Sequence, residues 1–297
     1  MEPIFKKVVI VGTGLLGGSL SYELAQKGLA QTLVGVCRSN KTAELAVELG
    51  VVDRVEPLEQ AVAGADLILL ATPMLTMPSL LGELDGITDS HTIISDVGSV
   101  KTDLYRAVKE SAPNLLPQFV FAHPIAGGER SGVRAAKLGL FKNKHVIVTK
   151  TPETDPKMMA DVIRMWDSVG ANVLEMGLQE HDAVFARTSH LPHVIAFTLV
   201  NYLSKQTNRE QLFDLAAAGF YDFTRIASSD AEMWRDICIT NKEQVLSSLE
   251  GFAEQINAVK ALIDAEDLSG LLEYFSAAKE ARDTGLLLKA RSVLDDC

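Results

Sequence analysis

Histidine has an ordinary pKa near neutrality, so beside a cofactor it can accept a proton or a hydrogen bond without a large shift. His123 has such a position: it closes the apolar run FVFA and opens the small, glycine-rich stretch HPIAGGERSG, residues 123–132. Two other apolar runs end in unusual residues. DLILLA leads into Thr72 and Pro73, and TIISD brings Ser95 and Asp96 ahead of VGSVK, which carries Ser99. Ligands of open parallel sheets gather at the carboxyl ends of the strands, so Ser95, Asp96, Ser99 and His123 are expected to face one cleft. A hydroxyl-bearing carbon that gives up hydride needs its hydroxyl proton bound or removed as the carbonyl forms. His123 is the candidate acceptor, and Ser99 the candidate to share that hydrogen bond. The alternatives are a loop-capping histidine and a serine that caps the helix VKTDLYRAV.

The stretch VVIVGTGLLGGSL places Gly12, Gly14 and Gly17 as G-x-G-x-x-G between a strand and a helix, the context in which this pattern signals dinucleotide binding. Gly12 permits the turn, Gly14 lets backbone approach a pyrophosphate, and Gly17 allows helix to pack on strand, with Leu15 and Leu16 opening the helix toward the phosphates. An acid is expected after the second strand when the cofactor is NAD. Here Cys37 stands in that place, followed by Arg38, Ser39 and Lys41, which suit a 2′-phosphate, so NADP is modestly favoured within an NAD(P) reading. The competing account is a solvated Arg38 stacking on adenine with either cofactor.

Farther along, EHDAVFARTSHLPHVIAFTLV sets His190 and His193 three apart around Pro192. That spacing suits the first turn of a helix or a kink within one, with both rings on the same side. A metal pair is conceivable there, but no third ligand with matching spacing accompanies it, and no metal is expected. GFYDFTRIASSDAEMW brings Asp222 and Arg225 onto a turn, where the arginine could grip a substrate carboxylate or pair with Asp222.

These residues need a scaffold. Apolar runs at 7–11, 32–36, 66–71, 92–96, 119–122 and 145–149 alternate with helical patterns, which predicts an α/β domain, a Rossmann-type doubly wound and mostly parallel sheet. After NVLEM nothing reads as strand, so residues 1–177 are expected to form the dinucleotide-binding domain and residues 178–297 an all-helical one. Within the latter, Ser229 and Glu232 read as a capping box opening a long helix. Val245, Leu249, Phe252, Ile256, Val259 and Ile263 then recur at spacings of four and three, a stripe that fits a neighbouring helix or a subunit interface equally well.

The 297 residues carry a net charge of -11, which argues against a nucleic-acid or anionic-membrane surface. Three cysteines without metal-like spacing suit a reducing cytoplasm. No run reaches membrane-spanning length, and the N-terminus turns polar too soon for a signal peptide.

Taken in order, VGTGLLGGSL, ATP, SDVGSVK, AHPIAGGERSG, TSHLPH and DFTRIASSD…MW resemble the prephenate and arogenate dehydrogenase family of tyrosine biosynthesis over nearly the whole chain. The resemblance implies a Rossmann domain, a helical dimerisation domain forming a homodimer, and oxidative decarboxylation of a small anionic cyclohexadienyl substrate with a nicotinamide cofactor. It also implies that His123 hydrogen-bonds the ring hydroxyl, with Ser99 beside the nicotinamide. Arg225 would hold the ring carboxylate, His193 line the pocket, His190 lie nearer the cofactor, and Glu129 and Asp222 join the surrounding ionic network. Thr13, Gly128 and Tyr221 depart from the usual residues of the family. No regulatory domain or fused chorismate mutase is expected. The rival readings are a β-hydroxyacid dehydrogenase, which commonly relies on a lysine where this chain offers TSHLPH, and a non-catalytic dinucleotide-binding redox sensor.

Overall fold

Strands that are apolar at consecutive positions require cover on both faces. In the computed structural model, which describes residues 2–128 and 130–295, these runs join one eight-stranded sheet. Its strands are β1 (Phe5–Val11), β2 (Ala30–Val36), β3 (Arg54–Val55), β4 (Leu67–Leu70), β5 (Ile93–Asp96), β6 (Phe119–Pro124), β7 (His145–Thr149) and β8 (Asn172–Met176). Their spatial order is β3-β2-β1-β4-β5-β6-β7-β8. The order therefore reverses between β1 and β4, the switch point at which such sheets bind ligands. Only the two-residue β3 escapes the sequence reading, being too short to show a pattern.

Successive strand residues go to opposite faces. Val8, Ile10, Leu67 and Leu69 pack with Leu20 and Trp166 on one side, and Val9, Val11, Ile68 and Leu70 with Leu81 and Leu104 on the other. Each side chain buried this fully contributes roughly 1.5–3 kcal/mol, and the rigid sheet that results fixes where its strand ends lie. All pairs are parallel except β6 with β7. Among its described residues the segment between those two forms only the short turn Val133–Ala135 and no α-helix, whereas a parallel return usually runs through a crossover helix.

Beyond β8 the described residues are helical or in turns. The helix Leu178–Phe185 passes through a π-turn, Ala186–His190, into the helix Leu191–Ser204. This is the kink that Pro192, lacking an N–H, called for. The expected Ser229–Glu232 capping box does not form. The Ser229 hydroxyl closes the preceding turn on the Ile226 carbonyl, and Asp230 caps the helix Ala231–Thr240 by accepting from the Met233 amide at 3.0 Å. Nor is there a single long helix, because Asn241 separates this one from Lys242–Asp264.

The chain divides into two compact units, Met1–Val245 and Leu246–Cys297. The second comprises the rest of Lys242–Asp264 and the helix Leu268–Asp295. Along its stripe Leu249, Phe252 and Val259 are half-buried, whereas Ile256 and Ile263 are 53% and 58% exposed, and Leu272 and Phe275 of the following helix are exposed as well.

Candidate active site

At the carboxyl end of β1, Gly12 takes φ +98, and a Cβ there would stand 2.5 Å from the Ala71 carbonyl oxygen, so only glycine fits. A Cβ on Gly17 would collide with the Gly12 carbonyl. Gly14 differs: among the described residues nothing lies within 4 Å of its missing side chain, so no contact with them accounts for the glycine. It begins the helix Leu15–Gln26, which has neither a side-chain cap nor an acid in its first turn. That leaves a bare helix N-terminus before open space, which suits a pyrophosphate. Across the switch point the Thr72 hydroxyl is buried without a partner among the described residues, and Pro73 is exposed at the rim. These features fit a dinucleotide held by Gly12, Gly14, Leu15, Leu16, Gly17, Thr72 and Pro73.

After β2, Arg38 and Ser39 are exposed and Cys37 is half-buried. The Cys37 thiol lies 3.3 Å from the Thr13 hydroxyl. Ser39 is the N-cap of the helix Asn40–Glu48, its hydroxyl accepting from the Thr42 amide at 3.2 Å. It is therefore only partly available to a ligand, which leaves Arg38 and Lys41 as the cations of this corner.

Two residues expected in the cleft are not there. Ser95 is completely buried and its hydroxyl donates to the Val120 carbonyl at 2.7 Å, tying β5 to β6. Asp96 is also completely buried, in an ion pair with Lys101. It accepts from the amides of Gly98 and Ala122, and Lys101 donates to the Ala122 carbonyl. Burial pushes the Asp96 carboxyl up and the Lys101 ammonium down, and their mutual attraction opposes both shifts. The pair thus lies under the site, holding the residue next to His123. Ser99 is half-buried, and no hydrogen bond joins it to His123.

His123 lies at the carboxyl end of β6, partly exposed. The loop after it reaches the glycine loop: a Cβ built on Gly128 would lie 3.6 Å from Leu15 Cδ2. Glu129 lies outside the described residues. The His123 Nδ1 is 2.8 Å from His181 Nε2, and the His181 Nδ1 is 2.8 Å from an Asp182 carboxylate oxygen. Asp182 accepts in addition from the amides of Lys101 and Thr102, at 2.9 and 2.8 Å, and so caps the helix Thr102–Ser111 from a distant element. Phe185 lies edge-on to His123 and tilted against His181, with ring centroids 5.0 and 4.7 Å away. Burial depresses the His123 pKa well below its ordinary value, with His181 and Lys101 adding to the effect. His181 is lowered too, by burial acting against its bond to Asp182. Burial alone would raise Asp182, but hydrogen bonds from His181, Thr102 and Lys101 outweigh it and hold the carboxyl low. Sequence reasoning missed His181 and Asp182; the only signal was an adjacent His-Asp pair just after the last strand.

His190 and His193 do come to one side, both against Trp234. His193 stacks on the indole at 3.7 Å, and His190 meets it edge-on at 6.0 Å. His190 is buried, 3.2 Å from the Asn241 side chain, and burial pushes its pKa down to about 4. The His193 Nδ1 donates to the Ser189 carbonyl at 2.9 Å. Burial lowers its pKa against that bond, and the charge of Arg225 lowers it further. Arg225 is therefore within electrostatic reach of His193 and exposed, as is Asp222. The Trp234 indole N–H is buried without a partner among the described residues.

Residues 20–175 match the nucleotide-binding domain of prephenate dehydrogenase, and residues 178–277 match its dimerization domain. The prephenate dehydrogenase of Bacillus subtilis (strain 168) is 35% identical over 99% of this chain and 80% of its own. The crystal structure of A. aeolicus prephenate dehydrogenase, in complex with hydroxyphenyl propionate and NAD+, aligns with TM-score 0.87 and 37% identity, covering 94% of this chain and 98% of that one. Synechocystis arogenate dehydrogenase aligns with TM-score 0.78 and 28% identity, over 94% and 99%.

Proposed function

Because the chain belongs to the prephenate dehydrogenase family, we propose that it oxidatively decarboxylates prephenate or arogenate with NAD(P)+. The products are 4-hydroxyphenylpyruvate or tyrosine, carbon dioxide and reduced cofactor. The observation that carries this reading is the gathering of the glycine loop, Thr72, Ser99 and His123 at one edge of the sheet. The glycine loop, Thr72 and Ser99 follow the carboxyl ends of β1, β4 and β5, and His123 is in the last two residues of β6, four mutually parallel strands beside the switch point.

The nicotinamide supplies the hydride acceptor. His123, kept neutral by burial, accepts the hydrogen bond of the ring hydroxyl. As hydride leaves the hydroxyl-bearing carbon, that oxygen becomes electron-poor, and the imidazole lone pair stabilises it. The C–C bond to the opposite carboxylate breaks and its electron pair completes the aromatic ring. The hydroxyl persists as the phenol, so no net proton is taken up or released. Ser99 shares the hydroxyl contact. Arg225 holds the ring carboxylate, His193 forms the pocket wall against Trp234, and Asp222 and Glu129 complete the ionic surround. Ser95 and His190 support the cofactor side from within the protein, since their side chains are buried.

The finer assignments have their own supports. NADP is preferred to NAD, because Arg38 and Lys41 flank a corner in which Cys37 replaces the usual acid. The functional boundary falls at residues 177/178, in keeping with the ranges matched by the two family domains. A homodimer forms through the helical part, where Ile256, Ile263, Leu272 and Phe275 are exposed apolar residues awaiting cover. The setting is cytoplasmic, consistent with the free cysteines Cys37 and Cys238. No helix among the described residues is long and apolar enough to cross a membrane.

The test is direct: supply prephenate or arogenate with NAD+ or NADP+ and follow reduced-nicotinamide absorbance. The expected result is turnover in at least one of the four mixtures. Silence in all of them overturns the proposal.

A further inference from the structure

We infer that His181 and Asp182 are positioning residues that fix His123 as its Nδ1–H tautomer, leaving the Nε2 lone pair to receive the substrate hydroxyl. The reasoning starts at Asp182. Its carboxyl is held in the ionised form by its hydrogen bonds, and an ionised carboxylate only accepts. The His181 Nδ1, 2.8 Å away, must therefore carry a proton and donate. His181 is fully buried and kept neutral by that burial, so it has one N–H alone, and its Nε2 is an acceptor. The His123 Nδ1, 2.8 Å from that Nε2, must then donate in turn. Since His123 is itself neutral, its proton is fully accounted for at Nδ1, and Nε2 has no proton.

The direction of the chain matters. A protonated Nε2 would point a donor at the substrate hydroxyl, and the oxygen that loses electron density during hydride departure needs an acceptor. The anchor is firm because Asp182 also caps the helix Thr102–Ser111 through the Lys101 and Thr102 amides. Its backbone carbonyl accepts from Asn241 at 3.0 Å. Phe185 lies against both imidazoles. The same carboxylate therefore sets a tautomer and ends a helix of the sheet domain, so the ring's orientation is tied to the fold.

The functional part of this inference rests on the dehydrogenase reading, whereas the tautomer does not. Ring-15N histidine NMR of the full-length protein, with His123 assigned by the signal lost in His123→Asn, should show His123 as Nδ1–H. Finding Nε2–H in the wild type overturns the proposal whether or not the protein turns over any substrate. Two substitutions separate positioning from mere bracing. In His181→Gln the amide oxygen falls near the former Nε2 and can still accept from His123. In His181→Asn the amide stays near the former Nδ1 and keeps only the contact to Asp182. We expect the glutamine variant to retain the Nδ1–H form and kcat within about 3-fold of wild type. We expect the asparagine variant to shift His123 toward Nε2–H and lose about 10- to 100-fold in kcat with KM changed by less than about 3-fold, in line with turning an acceptor aimed at the developing charge into a donor. An unchanged tautomer in His181→Asn, or equal kcat losses in both variants, overturns it. Absence of turnover in the wild type would count against the dehydrogenase reading and leave the NMR result to decide the tautomer.

Discussion

The chain has two close pairs of histidines, and they are built differently. His123 and His181 are joined directly, nitrogen to nitrogen at 2.8 Å, and the pair ends on a carboxylate. His190 and His193 have no such link: each leans on one indole, and their ring nitrogens bond to Asn241 and to the Ser189 carbonyl. The first pair carries directional information, since each N–H dictates the next. The second supplies shape. In the second pair each ring is fixed separately, His193 by donating to a carbonyl and His190 by its bond with Asn241, so neither ring orients the other.

The contrast breaks first at His123. Replacement by asparagine should lower kcat by about two to three orders of magnitude with little change in KM, the range for losing a hydrogen-bond partner aimed at the charge that develops in the transition state. An ordinary kcat would remove His123 from the chemistry. In the wild type, the acid limb of kcat/KM should fall well below pH 6.5, because burial disfavours the charged ring. A limb at 6.5 would contradict that burial.

His190 should matter to stability instead. Its folded pKa of about 4 lies below the ordinary 6.5, so below pH 6.5 the unfolded chain binds a proton that the folded one refuses. Its contribution is complete above pH 6.5, declines as the pH drops toward 4, and levels off there. At about 1.4 kcal/mol per pH unit the loss is about 3 kcal/mol. Urea unfolding of His190→Gln between pH 7 and pH 4 should show a decline smaller by about that amount than in the wild type. An unchanged decline would refute the assignment.

How much of this was legible in the sequence follows the same division. The glycine loop, seven strands and His123 at a strand end are local patterns, and each landed where its pattern pointed. Ser95 and Asp96 did not, because a strand's last residues are still inside the sheet. Ser95 answers to Val120 and Asp96 to Lys101, whereas Ser99 lies past the end of β5 and His123, though still within β6, keeps part of its surface open. The Ser229 cap failed by one position for a local reason, its hydroxyl being taken by the preceding turn. His181 could not be read at all from spacing. It lies 58 residues from the ring it orients, on a helix whose approach depends on Asp182 finding the start of another helix 80 residues earlier.

The exposed side of the site should respond in binding and not in turnover. Arg225→Ala removes the proposed charge-assisted partner of the ring carboxylate, worth about 1.5–3 kcal/mol, so KM should rise about 10- to 100-fold while kcat changes little. Because Arg225 also depresses His193, the variant should bring the His193 titration closer to its ordinary value, visible in the same ring-15N spectra. An unchanged KM would take the arginine out of the carboxylate role.

The smallest effect is expected at the far corner of the cofactor cleft. With Cys37 standing in the acid's place and the Ser39 hydroxyl already engaged with Thr42, the proposed preference for NADP rests on Arg38 and Lys41, both solvent-exposed. Exposed cations on a phosphate are screened and individually weak. Arg38→Asp both removes one and restores an acid able to accept from a ribose 2′-hydroxyl. The ratio of kcat/KM for NADP over NAD should therefore fall by about 10-fold or more, with the gain on the NAD side. A ratio that falls only through loss of NADP activity would mean that Arg38 attracts the phosphate without the corner being shaped to read the ribose. A ratio that does not move would remove Arg38 from cofactor choice.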